Sequence, residues 1–140
     1  MFVYKKGLGT QQVFDDVPQS NVAIAKGDLL YGASGYASNA YASFITSLMI
    51  GVANETYDNS GGAAGAHNLN CDICPLSEFV ADCADTATQA TAWTNVACAS
   101  ANTVTSLTAK TDKTGVLKIM KFISSAKVLV KINFASPTEA

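Results

Sequence analysis

The cysteines have the widest chemical repertoire in this chain, and they are Cys71, Cys74, Cys83 and Cys98. Cys71 and Cys74 form a Cys-x-x-Cys pair, a spacing used in zinc sites and in redox motifs. Structural zinc usually requires a second close pair, whereas Cys83 and Cys98 are fifteen positions apart. No amphipathic helix is predicted after Cys74 to activate a thiol. Buried free thiols, a disulfide and a metal site remain three alternatives, and no metal or cofactor is assigned.

The other candidate catalytic groups are one histidine and three pairs of acids. His67 lies four positions before Cys71, but activation of a nucleophile requires spatial geometry that this separation does not supply. The acid pairs stand beside turn residues, where aspartate accepts local backbone hydrogen bonds; they are Asp15 with Asp16, Glu55 with Asp58, and Asp82 with Asp85. We therefore predict no catalytic residue and no enzymatic activity.

A segment rich in glycine and alanine, Gly61–Gly65, lies in the middle of the chain. It lacks the Lys-Ser/Thr ending of a phosphate-binding loop, and the preceding Asp58-Asn59-Ser60 lacks the order of a calcium loop. A turn is the preferred interpretation of these residues. Three tyrosines spaced five apart are either an exposed platform for sugars or core contacts; they are Tyr31, Tyr36 and Tyr41.

Composition limits the classes of partner. The 140 residues predict one domain, and only 14% are charged against about 25% in typical soluble domains. Either an assembly covers part of the surface or neutral polar residues replace charges in a β fold. All nine basic residues are lysines, which argues against nucleic-acid binding. No apolar run is long enough for a membrane helix, and the first residues do not resemble a signal peptide, so secretion by that route is not expected.

The first half of the chain predicts short strands separated by glycine turns. Residues 22–25 and 29–31 flank the turn Lys26-Gly27-Asp28 and predict a hairpin. A loop is expected over residues 32–39. Residues 41–52 have helical spacing of apolar side chains, but the β-branched residues favour a strand over Leu48–Glu55.

The second half ends in the clearest pattern. Residues 116–123 and 127–134 flank the loop Ser124-Ser125-Ala126, and apolar side chains alternate in the second run. Strands at such intervals predict an all-β fold, a small antiparallel β-barrel or sandwich over residues 21–140. Residues 1–20 are predicted to be an extended N-terminal arm that contains short strands.

One motif resembles a known family. The run Gly51-Val-Ala-Asn-Glu-Thr-Tyr-Asp-Asn-Ser-Gly-Gly-Ala-Ala-Gly-Ala66 follows Gly27-Asp28-Leu29. It resembles the capsid decoration, or cement, proteins of tailed bacteriophages. The segment Asn102–Thr105 and the closing hairpin are similar to later parts of that family. The chain departs from the family pattern after the glycine loop, where a basic strand is replaced by Asn70–Pro75.

The resemblance implies a virion structural protein, made in the host cytoplasm, that binds the outside of a capsid and bridges neighbouring subunits. Its partners would be the major capsid protein and further copies of itself, with a trimer favoured, and the arm would act as a clamp. A carbohydrate-binding or adhesive β module of a virion is the alternative.

Overall fold

The computed structural model describes residues 1–7, 11, 13–39, 49–74, 76–100, 103–110 and 117–132. Within these ranges the chain forms β-strands and one 3-10 turn at Gln89–Thr91, and it contains no α-helix. The strands are β1 (Val3–Lys6), β2 (Val13–Pro18), β3 (Ala23–Ile24), β4 (Leu29–Ala33), β5 (Tyr36–Ser38), β6 (Met49–Ala53), β7 (Tyr57–Asp58), β8 (Asn68–Asp72), β9 (Glu78–Cys83), β10 (Asn95–Ser100), β11 (Thr103–Lys110), β12 (Leu117–Ser124) and β13 (Lys127–Ile132).

The larger sheet closes into a ring. Its order is β1-β9-β11-β10-β12-β13, and β13 pairs again with β9. Each of the five strands β9 to β13 has two neighbours in the ring. β9 also pairs with β1 through residues 78–80, on the edge whose residues 82–83 pair with β11, while β13 occupies the other edge of β9. All these pairings are antiparallel except that of β9 with β11, which is parallel. Closure removes free edges from these five strands.

The smaller sheet has the order β2-β8-β6-β4-β5, and its strand β4 is buried on both faces. Successive residues of β4 show this directly: Leu29 belongs to the main core, and Leu30 belongs to a second core. A parallel bridge from Gln19 to Ala37 joins the two ends of this sheet. The main core lies between the two sheets and inside the ring, where Phe79, Val96 and Val130 are buried. The predicted all-β class is confirmed, with antiparallel sheets packed together.

The closing hairpin forms as predicted. β12 and β13 pair along their length, with Leu117 opposite Ile132 at one end and Ser124 opposite Lys127 at the other. Val128, Val130 and Ile132 point into the core because alternate strand residues share a face. The strand predicted over Leu48–Glu55 is β6, and residues 41–48 of the ambiguous segment lie outside the described residues.

The first predicted hairpin is wrong. β3 pairs with β7 and makes no ladder with β4, although Gly27 forms the expected turn between them with φ +89°. The hairpin joins β4 to β5, inside the predicted loop. Its turn is Ser34-Gly35 with φ of 53° and 87°, and two residues of positive φ match the twist of antiparallel strands.

The N-terminal twenty residues contribute one strand to each sheet. β1 pairs with β9 in the larger sheet, and β2 pairs with β8 in the smaller sheet. The short strands expected in this segment thus correspond to β1 and β2. None of the described residues forms a helix long and apolar enough to cross a membrane.

Candidate functional site

The motif Gly51–Ala66 builds a cover over the second core. After β6 the chain turns outward, and β7 pairs with β3 to form a two-stranded ribbon. The ribbon and the loop after it lie beside a cluster of buried apolar residues, which are Val17, Ile24, Leu30, Ala37, Ala53, Leu69 and Cys71. The motif therefore closes the side of the smaller sheet that faces away from the ring.

Two buried amides fix this cover to the preceding chain. Gln19 is fully buried, and its Nε2 donates to the carbonyl oxygens of Val22 (2.8 Å) and Tyr57 (3.0 Å). Asn59 Nδ2 donates to the carbonyl oxygens of Ser20 (3.1 Å) and Ala63 (3.0 Å). The amide nitrogens of both side chains are satisfied as donors, whereas Gln19 Oε1 is buried without a hydrogen-bond partner among the described residues. These donated hydrogen bonds rigidify the loop, because breaking one would leave a buried carbonyl oxygen without its partner and away from water.

Asp58 shapes the turn as predicted for an aspartate at this position. Its Oδ1 accepts the backbone N–H of Ser60 at 2.9 Å and also the Ser60 hydroxyl. These hydrogen bonds, the hydroxyl first, hold the pKa of Asp58 below its ordinary value. The carboxylate thus serves the local turn.

His67 meets an acid and a tyrosine of the motif. Its Nε2 lies 2.7 Å from Oε1 of Glu55, which also accepts the N–H of Asn70. The imidazole stacks on the ring of Tyr57 with centroids 3.6 Å apart and an interplanar angle of 8°. Both contacts orient the imidazole within the cover, so the pair Glu55–His67 ties the start of the loop to its end.

The structure describes all four cysteines as free. Burial, with a smaller contribution from the charges of Glu55 and Asp72, raises the pKa of Cys71 to about 12. Burial alone raises the pKa of Cys98 to about 12, and burial raises the pKa of Cys83 as well. At neutral pH these thiols are protonated and weakly nucleophilic. No cluster of three potential metal ligands occurs among the described residues.

Thiol accessibility gives a direct test of this arrangement. We expect Cys71 of the native protein to resist a disulfide exchange reagent until the chain unfolds, because its thiol is buried and protonated, and we expect the partly buried Cys98 to react earlier. Mass spectrometry of peptides from protein labelled before and after denaturation measures this. Rapid native labelling of Cys71 would contradict the described burial.

Asp82, the first residue of the third acid pair, forms ion pairs with two cationic groups. Asp82 accepts from Nζ of Lys127 at 2.5 Å and from the N-terminal ammonium at 3.3 Å. The hydrogen bond from Lys127 is the larger cause that holds the pKa of Asp82 below its ordinary value. This group of charges joins the start of the chain to β9 and β13.

The Asp82 contacts predict a small pH dependence. A lowered pKa in the folded state means that the pair stabilises above the ordinary carboxyl value of 3.8 and loses its effect as pH falls through the folded value. The Asp82→Asn variant should therefore be less stable at neutral pH by less than about 1 kcal/mol, since the pair is exposed. Urea unfolding at several pH values should show that the difference disappears in acid. A difference that grows in acid would contradict the assignment.

The sequence interpretation missed a buried carboxylate, Asp72. It is 1% exposed; Ser77 donates its hydroxyl to both carboxylate oxygens at 3.0 Å, and the N–H of Cys74 donates to Oδ1 at 3.0 Å. Gln11 Nε2 donates to the other oxygen at 3.1 Å. The charge organises the passage between β8 and β9. Asp72 lies between the two cysteines of the Cys-x-x-Cys pair, and this spacing indicates thiol chemistry but not the burial of the aspartate.

Of the two alternatives for the three tyrosines, an exposed platform or core contacts, Tyr31 follows the second. Tyr31 is buried in the main core. Tyr36 is half-buried and lies against Gly65, where a Cβ would come within 3.0 Å of its ring. Tyr41 lies outside the described residues.

Trp93 is the most exposed of the large apolar side chains described, at 65%. It stands between the 3-10 turn and β10 with φ of 69°, a region that bulky residues rarely adopt. Its backbone N–H donates to the carbonyl oxygen of Ile119 at 2.7 Å, and the N–H of Ile119 donates to Thr94. The neighbouring strand β12 therefore holds the backbone in this conformation and leaves the indole outside.

Comparison of the sequence with models of known protein families and with curated proteins finds no match.

Proposed function

We propose that this chain is a virion structural protein that binds the outside of a bacteriophage capsid and stabilises it by bridging neighbouring subunits. The resemblance of the motif Gly51–Ala66 to capsid decoration proteins supports this function. A β domain in which the amides of Gln19 and Asn59 fix the loops also supports it, because such a protein must be rigid. In this proposal the major capsid protein is the partner. The motif Gly51–Ala66 acts as a cover that keeps the body rigid, and other surfaces make the capsid contact.

Trp93 is the observation that carries the proposal. A bulky residue with positive φ costs about 1–3 kcal/mol, and such strain concentrates at functional positions. Tryptophan is also enriched among the residues that dominate binding energy at protein interfaces. A side chain that is both strained and exposed is explained by burial in a partner. We therefore place Trp93 in the capsid contact.

Addition of the purified chain to undecorated capsids tests the function. We expect electron cryomicroscopy to show density at regular lattice positions on the outer surface, in a fixed ratio to the capsid subunits. Many equivalent sites on one shell make even modest individual contacts effective. Capsids that remain bare at saturating protein would overturn the proposal.

The Trp93→Asn variant separates binding from folding. Asparagine tolerates positive φ, so we expect the free energy of unfolding to stay equal or to rise by about 1 kcal/mol. Capsid binding should weaken on the order of tenfold or more, because an interface tryptophan is lost. Cosedimentation with capsids and urea unfolding measure the two quantities.

The matched control is Leu76→Ala, which shortens another exposed apolar side chain. It should leave binding nearly unchanged. Equal binding by the wild type and the Trp93→Asn variant would exclude Trp93 from the contact.

A further inference from the structure

The lysines are concentrated on the outer face of the closed ring. Six of them lie on β1, β12 and β13, and they are Lys5, Lys6, Lys118, Lys121, Lys127 and Lys131. The acids described on β9 are Glu78, which pairs with Lys6 at 3.6 Å, and Asp82, which pairs with Lys127. The smaller sheet and its cover hold Asp16, Asp28, Glu55, Asp58 and Asp72 but, among the described residues, only one lysine, Lys26. Asp28 and Asp72 are buried, so the surface acids of this side are Asp16, Asp58 and the half-buried Glu55. Among the described residues the ring side is therefore the more basic one, although the net charge of the chain is −2.

A groove with an apolar floor lies on the basic side. It has a volume of about 320 Å³ and is lined by Ile123, Leu129 and the side chains of Lys5, Lys6 and Lys121. Lys5 and Lys121 have no ion pair within the described part of the chain. The groove therefore presents cationic groups around an apolar centre. An extended segment that carries an apolar side chain next to a carboxylate would satisfy both features.

Edge strand β2 displays this chemistry. Phe14 is 46% exposed and Val13 is 43% exposed, although both belong to a sheet. Asp16 follows on the same strand and is also exposed. β2 pairs with β8 on one side, and the bridge from Gln19 to Ala37 adjoins only the C-terminal end of its other side. The residues of β2 do not line the lysine groove of their own chain. An exposed apolar edge strand is a template for association with another chain.

We propose that the lysine groove of one copy binds the β2 edge of a second copy. Phe14 of the second copy would contact Ile123 and Leu129, and its Asp16 would face the ammonium groups of Lys5 and Lys121. Such a contact joins two different surfaces, so repeated contacts form a closed ring if the rotation between copies permits. This inference goes beyond the capsid function, because purified chain alone forms the assembly.

Sedimentation equilibrium of the full chain over a range of concentrations and salt tests the contact. We expect a concentration-dependent increase in mass that high salt reverses, since salt screens exposed charges. Lys121→Glu and Phe14→Ser should each weaken self-association on the order of tenfold or more. Lys26→Glu is the matched control because it makes the same charge change away from the groove, and it should assemble as the wild type does.

Mixing the two defective variants tests the direction of the contact. Lys121→Glu retains an intact β2 edge, and Phe14→Ser retains an intact groove, so an equimolar mixture should form a pair with one copy of each. Circular dichroism confirms that each variant is folded. A wild-type chain that is monomeric at every concentration, or variants that assemble as the wild type does, would overturn the proposal. Capsid binding is measured in a separate experiment, so a failure to bind capsids would not change the interpretation of the self-association data.

Discussion

The Gly51→Ala variant is expected to lose about 3 kcal/mol of unfolding free energy. A Cβ at this position would lie 2.0 Å from the backbone oxygen of Asp72 and 2.9 Å from its carbonyl carbon. No rotamer change relieves a collision with backbone, so β6 and β8 would have to separate and disturb both cores. Thermal unfolding should show a fall in melting temperature of roughly 10 °C.

Gly61 provides a matched control within the same motif. A Cβ at Gly61 would meet nothing within 4 Å. Because Gly61→Ala makes the same chemical change in open space, its melting temperature should stay close to that of the wild type. Equal melting temperatures for the two variants would show that the close approach of β6 and β8 does not restrict the residue at position 51.

Replacement of the buried carboxylate in Asp72→Ala should cost about 2–3 kcal/mol. The change leaves the buried Ser77 hydroxyl and the backbone N–H of Cys74 without their acceptor. It also removes the acceptor of Gln11. Loss of these contacts should loosen the passage from β8 to β9. Urea unfolding measures the free energy, and hydrogen exchange at Cys74 reports the local opening.

Two further variants define the source of this effect. Asp58→Ala removes an exposed aspartate that, within the described ranges, accepts hydrogen bonds from Ser60 alone, and it should change stability much less. The double variant Asp72→Ala with Ser77→Ala should cost less than the sum of its single changes, because the two side chains share one contact. Additive costs would mean that this hydrogen bond does not carry the stability of the passage.

The sequence predicted the strands whose pattern is local. Val128, Val130 and Ile132 alternate with polar or outward residues, and a period of two fixes one face toward a core. The turn at Asp58-Asn59-Ser60 was also predictable, since an aspartate carboxylate bonds to the N–H two residues later. The same reasoning placed the first hairpin one turn too early. The turns at Gly27 and at Gly35 are similar in sequence, and only the strand pairing shows that the hairpin forms at Gly35.

The sequence by itself determined the all-β class, the low charge and the turn chemistry, because each depends on residue type or on near neighbours. Tertiary structure alone decided that β13 returns to β9 and closes a ring, since this pairing joins distant segments. It also decided that Gly51–Ala66 covers a second core and that Gly51 must lack a side chain. Exposure of Trp93 depends on how β12 holds its backbone. These properties arise from contacts between residues far apart in the chain, which no local pattern encodes.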